Sequence, residues 1–271
     1  MQWEIEKPQS IPVKIGHHMR EYTLDSASLS ALLKIIEDEP AGPRHLFRGQ
    51  GNAAWKLLPG LYRREHIPVG GGTLEYSFDV YEGMCIERFF NEGLPYLPSL
   101  PRGYSNDRIL AQHFGVPTRL LDWSNDPFVA AYFAVERWWE ETDAAIFMLL
   151  PDAHYKPEDV RSLGPHKAIS LTPPAIDRRI PAQKSAFTFH PYGPPDAPFV
   201  PLDDRVDMGN QVTTSNNTLT RGFAKITIPQ VRKRHMLDRL LKAGVDRRNL
   251  FPGLDGVGAD IAMRMLVGGI P

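Results

Sequence analysis

The sequence lacks several features that mark common classes of protein. Its one cysteine, Cys85, cannot form an internal disulfide, and this favours a reducing compartment. No apolar run approaches the ~20 residues that a membrane-spanning helix needs. The N-terminus has no basic head followed by an apolar stretch, so a signal peptide is not predicted. We therefore expect a soluble, cytoplasmic protein that has no membrane partner.

The motifs of the commonest enzyme classes are missing as well. There is no GxxxxGK[ST] loop, no GxGxxG after a strand, no GxSxG, no HExxH and no paired CxxC. The nine histidines are scattered, with only His17 and His18 adjacent, so we expect no metal. The formal charge is −1, so only a local patch could attract nucleic acid.

The spacing of apolar residues predicts an α+β protein. Of the 271 residues, 42% are hydrophobic, which is enough for a full core. Helical periodicity predicts helices over 26–37, from 73, over 107–114, and after Asn125-Asp126-Pro127, Pro229 and Asp255. Alternating or continuous apolar runs predict strands over 45–47, 144–150, 186–190 and 223–228. We expect a small, strongly bent central sheet with helices packed outside it.

The first group of residues that could carry chemistry is Arg48-Gly49-Gln50, followed by Trp55-Lys56 and Arg63. An arginine at the end of a strand, beside a glycine, brings a bidentate donor and an open backbone close to a phosphate or carboxylate. The structural alternative is a surface arginine at a turn.

The second group lies between a predicted helix end and a predicted helix start, on what we interpret as a loop. Its members are His113, Thr118, Arg119, Asp122, Trp123 and Ser124. Polar groups that converge on a loop are typical of a site, and an indole can stack on a planar ring. In the structural alternative, Asp122 pairs with Arg119, Trp123 belongs to the core and Ser124 caps a helix.

Two further features are Asp255 and a basic segment. Asp255 follows Pro252-Gly253 before a predicted helix, so it is either a helix cap or an acidic partner of the first two groups. Residues 221–248 hold nine Lys and Arg against two Asp, a net of +7. Arg232-Lys233-Arg234 could therefore contact nucleic acid, unless this face is only solvated.

Together these blocks resemble the FRG domain, a family named for its Phe/Tyr-Arg-Gly motif. The resemblance runs over roughly residues 40–260. Its blocks are Phe47-Arg48-Gly49-Gln50, Trp55 with Pro59, Gln112-His113-Phe114-Gly115, Pro117 to Ser124, Ala130 to Ala134, Gln183 to Phe187, and Phe251 to Gly256. We expect 40–271 to be an FRG domain, 1–39 to pack on its core, and the proline-rich 151–220 to be an irregular insertion over one sheet edge.

The first two blocks also resemble ADP-ribosyltransferases of the arginine–serine–glutamate type. This likeness implies an ADP-ribosyltransferase-like fold in which Arg48 grips the NAD pyrophosphate, and Ser124 and Trp123 line the nicotinamide-ribose pocket. Those enzymes place a late glutamate near the ribose, whereas this chain has none after Glu158. An aspartate would take that role, with Asp122 or Asp255 as the acidic group.

The resemblance implies an NAD-dependent ADP-ribosyltransferase-like enzyme, a toxin or anti-phage effector that modifies nucleic acid or protein. Besides Arg48, Asp122 and Asp255 as catalytic groups, the substrate would contact Gly49, Gln50, His113, Thr118, Arg119, Trp123 and Ser124. The alternative is a non-catalytic nucleotide- or RNA-binding module of a bacterial defence or stress system, which would use the same pocket and 221–248. A metal-dependent nuclease is disfavoured because clustered carboxylates are scarce. No feature points to a particular oligomeric state.

Overall fold

The protein is described by a computed structural model that covers residues 19–39, 45–63, 77–97, 102–151, 154–157, 169–190, 199–204, 213–214, 217–218 and 220–267. The described helices are α1 Leu29–Glu37, α2 Phe78–Gly93, α3 Tyr104–His113, α4 Pro127–Val135, α5 Arg179–Ala182, α6 Gln230–Lys242, α7 Arg247–Leu250 and α8 Leu254–Val267. The described strands are β1 Arg20–Thr23, β2 Leu46–Gln50, β3 Leu120–Ser124, β4 Ala144–Pro151, β5 His154–Tyr155, β6 Ile169–Leu171, β7 Ser185–Phe189, β8 Thr213–Thr214, β9 Asn217–Thr218 and β10 Thr220–Ile228.

The main sheet has eight strands in the order β1-β10-β4-β2-β3-β7-β6-β5. Its central pairs are antiparallel, and parallel pairs occur at the two edges, between β1 and β10 and between β5 and β6. The short strands β8 and β9 form a separate hairpin. The α+β class expected from the sequence is therefore confirmed.

The helix boundaries follow local capping chemistry. Asp126 precedes α4, and its Oδ1 accepts a hydrogen bond from the amide of Phe128 at 2.8 Å, while Pro127 takes the first helical position. Helices α3 and α6 end before Gly115 and Gly244, whose φ angles of 91° and 80° suit glycine. The sequence signals for these ends are therefore confirmed.

Side chains of the sheet alternate between two apolar clusters, one on each face. Phe47 of β2 and Ile146 of β4 face a core shared with α4 and α6. Leu46 and Phe147 face the opposite cluster, which contains Trp123 of β3. This period of two means that Arg48 and Gln50 lie on the Leu46 face, whereas Gly49 points at α4.

Gly49 packs directly against the backbone of α4. A Cβ at this position would lie 1.9 Å from the carbonyl oxygen of Ala130 and 2.7 Å from the amide nitrogen of Ala134. No side chain fits there, because both neighbours are backbone atoms. The glycine of the Phe-Arg-Gly motif thus allows strand β2 to lie close to α4.

Strands β2 and β3 are neighbours in the sheet, but they pair over a very short length. Within these two described strands, the ladder pairs Phe47 with Ser124 and extends no further. By contrast, β2 pairs with β4 over five positions, and β3 pairs with β7 over five positions. The sheet is therefore split between β2 and β3 beyond Phe47, on the side where Arg48, Gly49 and Gln50 lie.

Two regions differ from the sequence expectation. The segment with Asp122, Trp123 and Ser124 is the central strand β3 rather than a loop, because its alternate side chains are buried on both faces of the sheet. The insertion 151–220, which was expected to be irregular, supplies β5, β6, α5 and β7. Among the described helices, none has the length and apolar content to cross a membrane.

Candidate functional site

A cavity of about 760 Å³ opens where β2 and β3 separate. Its walls come from β2, β3, the segment after β2, the end of α4 with the turn that follows it, the start of β7 and the residue after α7. The lining residues include Phe47, Arg48, Gly49, Gln50, Gly51, Trp55, Lys56, Leu58, Arg63, Asp122, Trp123, Ser124, Ala130, Phe133, Glu136, Arg137, Glu140, Gln183, Ser185 and Phe251. Its volume falls within the range of roughly 300–1,000 Å³ that is typical of small-molecule sites.

Arg48 spans the gap between the two strands. Its Nη1 donates to the backbone oxygen of Asp122 at 2.6 Å and lies 3.8 Å from Asp122 Oδ2. Its buried Nε has no hydrogen-bond partner among the described residues. Burial lowers the pKa of Arg48 to about 10, so the guanidinium remains protonated at neutral pH. A fixed cation with an unused donor thus forms part of the cavity wall.

Asp122 belongs to a short hydrogen-bond relay. Its Oδ1 accepts from Gln112 Nε2 at 2.7 Å, and Gln112 Oε1 in turn accepts from the Thr118 hydroxyl. Because Gln112 contacts Oδ1 and Arg48 lies near Oδ2, the carboxylate is held at the cavity edge, and its side chain is still 58% exposed. Thr118 is fully buried and does not line the cavity. It therefore acts on the site only through Gln112.

A small second pocket of about 40 Å³ lies on the other side of Asp122. Its lining includes His113, Asp122 and Arg179. His113 Nε2 lies 3.1 Å from Asp177 Oδ1, and burial lowers the pKa of the imidazole, although the Asp177 charge opposes this shift. His113 therefore lies near Asp122 but outside the main cavity.

Two glutamates at the end of α4 supply further carboxylates to the cavity. Glu136 Oε2 accepts from Arg247 Nη1 at 2.8 Å, and burial raises the pKa of Glu136 despite this cation. Glu140 pairs with Arg137 at 2.7 Å, and both residues line the same wall. The cavity therefore contains acidic groups other than Asp122.

The cavity lining also contains cations and aromatic rings. Lys56 Nζ lies 2.6 Å from Asp204 Oδ1 and 3.4 Å from Asp203 Oδ2, and the Asp204 hydrogen bond raises the pKa of Lys56. Trp55 is 51% exposed beside it. The edge of Phe133 meets Phe251, with ring centroids 6.1 Å apart. Flat apolar surfaces and cations are thus combined in one cavity.

Trp123 and Ser124 are held firmly in the cavity wall. The indole of Trp123 is 4% exposed, and its Nε1 donates to Thr188 Oγ1 at 2.9 Å. The Ser124 hydroxyl donates to the Gln183 carbonyl at 2.7 Å and accepts from the Asp126 amide at 3.0 Å. Both residues therefore shape the cavity, and both already have hydrogen-bond partners in the protein.

Arg119 and Asp255 lie elsewhere. Arg119 is 2% exposed, and its Nε donates to Glu82 Oε2 at 2.9 Å. It is absent from the lining of both described pockets. Asp255 is 62% exposed and pairs with Arg179 at 3.0 Å. From that third sequence block, Phe251 lines the cavity. Asp255 is therefore not placed to act as the cavity's acidic group.

The basic segment does not form a uniform cationic surface. Lys233 is fully buried, and its ammonium donates to the carbonyls of Glu140 and Thr142 at 3.2 Å and of Gly51 at 3.4 Å. It therefore braces the cavity rim from behind and cannot contact a phosphate. Arg234 is exposed and lies over Trp138, with its guanidinium carbon 5.1 Å from the ring centroid. Arg232 is half-buried.

The sequence interpretation missed the acidic wall formed by Glu136, Arg137 and Glu140. A signal was present for Glu136, which follows Phe133 by three positions at the end of the predicted helix. Arg137 and Glu140 lie in the turn after α4, so helical spacing does not place them. Within the described part of the chain, no group of three or more His, Cys, Asp or Glu side chains could hold a metal ion.

Residues 43–143 match the family model of the FRG domain. This stretch contains β2, α2, α3, β3 and α4, and hence most of the cavity wall. No curated protein and no solved structure matches the chain.

Proposed function

We propose that the cavity binds NAD and breaks the bond between nicotinamide and ribose. The premise is that residues 43–143 match the family model of the FRG domain. The ADP-ribose is transferred to a nucleophile on nucleic acid or protein. This chemistry suits a toxin or an anti-phage effector, because transfer to an essential acceptor inactivates it.

The observation that carries the proposal is the position of Arg48. Arg48 is a buried guanidinium whose Nε lacks a partner among the described residues, and it lies in a split sheet, in a cavity that also contains carboxylates and aromatic rings. An arginine fork matches the oxygens of a pyrophosphate, and Lys56 and Arg63 on the same cavity wall add positive charge. Trp55 and Phe133 offer faces for planar rings.

The reaction needs a carboxylate beside the ribose. When the C1–N bond breaks, its electron pair leaves with the neutral nicotinamide, and positive charge develops on the ribose. The acceptor then forms a bond to C1 and gives up its proton. A carboxylate that accepts a hydrogen bond from a ribose hydroxyl stabilises this charge.

Asp122 and Glu136 are the two residues that we propose for this role. Asp122 lies at the cavity edge beside Arg48, 3.8 Å from its guanidinium. Glu136 is the more buried, and Arg247 fixes its orientation. Glu136 also removes the difficulty that the chain has no glutamate after Glu158, because an earlier glutamate lines the cavity.

Incubation with NAD labelled in its adenosine half tests the proposal. The wild-type protein should release nicotinamide and transfer label to a macromolecule from a cell extract. Asp122→Asn or Glu136→Gln should lower turnover by at least tenfold while NAD still binds, because only the transition state loses its carboxylate. Arg88→Lys, on an exposed α2 surface pair with Glu92, is the matched control. If the wild-type protein neither releases nicotinamide nor transfers label, the proposal is wrong.

A non-catalytic nucleotide- or RNA-binding module is the second candidate. Its support is the exposed Arg234 stacked on Trp138, near the exposed Arg239 on the same helix. This function predicts salt-sensitive binding of single-stranded RNA that survives Asp122→Asn and weakens in Arg234→Ala. Lys233→Ala is not a useful probe, because it removes a buried brace.

A further inference from the structure

Gln50 is the last residue of β2, and its side chain is 93% buried, since its residual exposure is 7%. It lines the main cavity, yet its Oε1 has no hydrogen-bond partner among the described residues. Buried amide oxygens are nearly always paired, because an unpaired one loses its bonds to water without replacement. An acceptor without a described partner, on a residue of the cavity lining, is a group whose hydrogen bond a ligand could complete.

The backbone around Gln50 is fixed. Gln50 pairs with Ala145 of β4, and the next carbonyl, that of Gly51, accepts from Thr142 Oγ1 at 3.2 Å and from Lys233 Nζ at 3.4 Å. The buried ammonium of Lys233 also holds the Glu140 and Thr142 carbonyls. Because these contacts immobilise the strand end, the amide keeps its place at the cavity wall, with the pre-organisation that a recognition group needs.

A second acceptor lies at the same end of the cavity. A Cβ built on Gly51 would lie 3.4 Å from Glu140 Oε2, so this carboxylate borders the residue that follows Gln50. Both Gln50 Oε1 and Glu140 accept hydrogen bonds, and neither attracts a phosphate or a carbonyl group. The ligand surface that fits this end is therefore an N–H donor.

The position along β2 separates this end from the phosphate site. Arg48 and Gln50 lie on the same face of the strand, about 7 Å apart at a rise of ~3.3 Å per residue. If Arg48 holds a phosphate, this spacing leaves room for one sugar ring between the phosphate and the group at Gln50.

We propose that Gln50 determines which base the cavity accepts, by receiving a hydrogen bond from an exocyclic NH₂ group on a planar ring. The inference rests on the proposed NAD-binding function. In NAD this chemistry occurs twice, as the carboxamide of nicotinamide and as the 6-amino group of adenine. A ring with an oxygen at that place meets two acceptors and is rejected.

Isothermal titration with three dinucleotides identifies which NH₂ group of NAD donates to Gln50. The ligands are NAD, its analogue with nicotinic acid in place of nicotinamide, and its analogue with hypoxanthine in place of adenine. Wild-type protein should bind NAD at least roughly tenfold more tightly than one analogue, because a buried acceptor left unpaired weakens binding by about that factor. Loss with the nicotinic acid analogue assigns Gln50 to the carboxamide, and loss with the hypoxanthine analogue assigns it to adenine.

Variants of Gln50 test the inference separately from the proposed NAD-binding function. Gln50→Met keeps the volume and removes the acceptor, so it should bind NAD and the affected analogue equally. Gln50→Glu keeps an acceptor and should restore discrimination, and Gln230→Met on α6 is the matched control. Thermal unfolding establishes that each variant is folded. If Gln50→Met discriminates as the wild type does, or the wild type binds all three ligands equally, the inference about Gln50 is wrong while NAD binding stands. If the wild type binds none of them, the proposed function fails as well.

Discussion

Two arginine–carboxylate clusters lie close together in sequence and differ in almost every physical respect. In the first cluster, Glu82 of α2 is fully buried. Its Oε2 accepts hydrogen bonds from the Nε atoms of Arg108 and Arg119, each at 2.9 Å. Its Oε1 accepts a hydrogen bond from the Arg119 backbone amide at 2.8 Å. At the other, Asp122 is 58% exposed, and the nearest guanidinium nitrogen of Arg48 is 3.8 Å from its carboxylate.

The difference separates a structural ion cluster from a site. Around Glu82 the carboxylate receives all its hydrogen bonds from the protein, so nothing remains for a ligand. In the cavity, Arg48 Nε and Gln50 Oε1 lack partners among the described residues although they are buried. Both Arg119 and Arg48 stand in motifs that look functional in the sequence. Arg119 pairs with the buried Glu82 and lines neither described pocket, whereas Arg48 lines the cavity, and this difference in position distinguishes them.

Removal of the Glu82 charge should have the largest effect. Glu82→Gln leaves two buried guanidinium groups without a counter-charge, and we expect the free energy of unfolding to fall by about 3–5 kcal/mol. Asp122→Asn removes an exposed carboxylate, so the free energy of unfolding should change by less than about 1 kcal/mol. Urea unfolding followed by circular dichroism measures both. Equal losses in the two variants would contradict the distinction drawn here.

The next largest effect on stability should come from a change at Gly49, where β2 lies close to α4. Gly49→Ala places a Cβ 1.9 Å from the Ala130 carbonyl, so strand and helix must separate, at a cost of about 1–3 kcal/mol or more. Gly83→Ala is the matched control, because nothing lies within 4 Å of its Cβ in α2, and it should be stabilising by about 0.5–1 kcal/mol. Thermal unfolding of the two variants would show shifts of opposite sign; a neutral Gly49→Ala would contradict the packing argument.

Arg48→Lys should change ligand binding more than stability. A lysine keeps the charge but loses the fork and the unused Nε, so we expect the affinity for NAD to fall at least tenfold, about 1.4 kcal/mol. Stability should change by less than about 1.5 kcal/mol, since a single hydrogen bond to Asp122 is involved. Titration calorimetry and urea unfolding on the same samples measure the two quantities. A large loss of stability would place Arg48 in the same class as Arg119.

The smallest effect concerns His113 and pH. Burial lowers the pKa of His113 in the folded protein below its ordinary value of 6.5, so the unfolded chain takes up the proton first. Stability should therefore be lost as pH falls from about 6.5 toward the lowered pKa, and this loss should be absent in His113→Gln. Unfolding of both proteins between pH 5 and pH 8, a range of roughly the histidine titration, tests it. Parallel pH profiles of the two proteins would contradict this prediction, because the Asp177 charge would then offset the effect of burial on the pKa of His113.

Much of the fold could be predicted from local patterns. The caps at Asp126, Gly115 and Gly244 mark helix ends through chemistry that involves only neighbouring residues. Strand β3 could not, because Leu120 to Ser124 carries a polar Asp122 in its middle and becomes a strand only by pairing with β7. Two of the three acidic residues of the cavity were missed, since Glu136 and Glu140 follow a helix whose neighbour in space is β2.

Some residues of the candidate site could likewise be predicted from the sequence, and others could not. Arg48 and Asp122 stood out in the sequence because each lies in a dense polar block, and the structure brings them together at the cavity. Asp255 stood out equally, but the pairing with Arg179 holds it outside. Lys233 looked like part of a nucleic-acid-binding run, and only its burial under Gly51 and Thr142 makes it a structural brace.

By itself, the sequence determined where the longer helices lie, the helix ends marked by Asp126, Gly115 and Gly244, and that a Phe-Arg-Gly motif is present. These depend on side chains within a few positions of one another. The tertiary structure alone decided that β2 and β3 part after one pair, which arginine lines the cavity and which acidic groups border it. Those outcomes depend on contacts between residues tens of positions apart, and the hydrogen-bond partners that such contacts supply or withhold cannot be seen in a linear pattern.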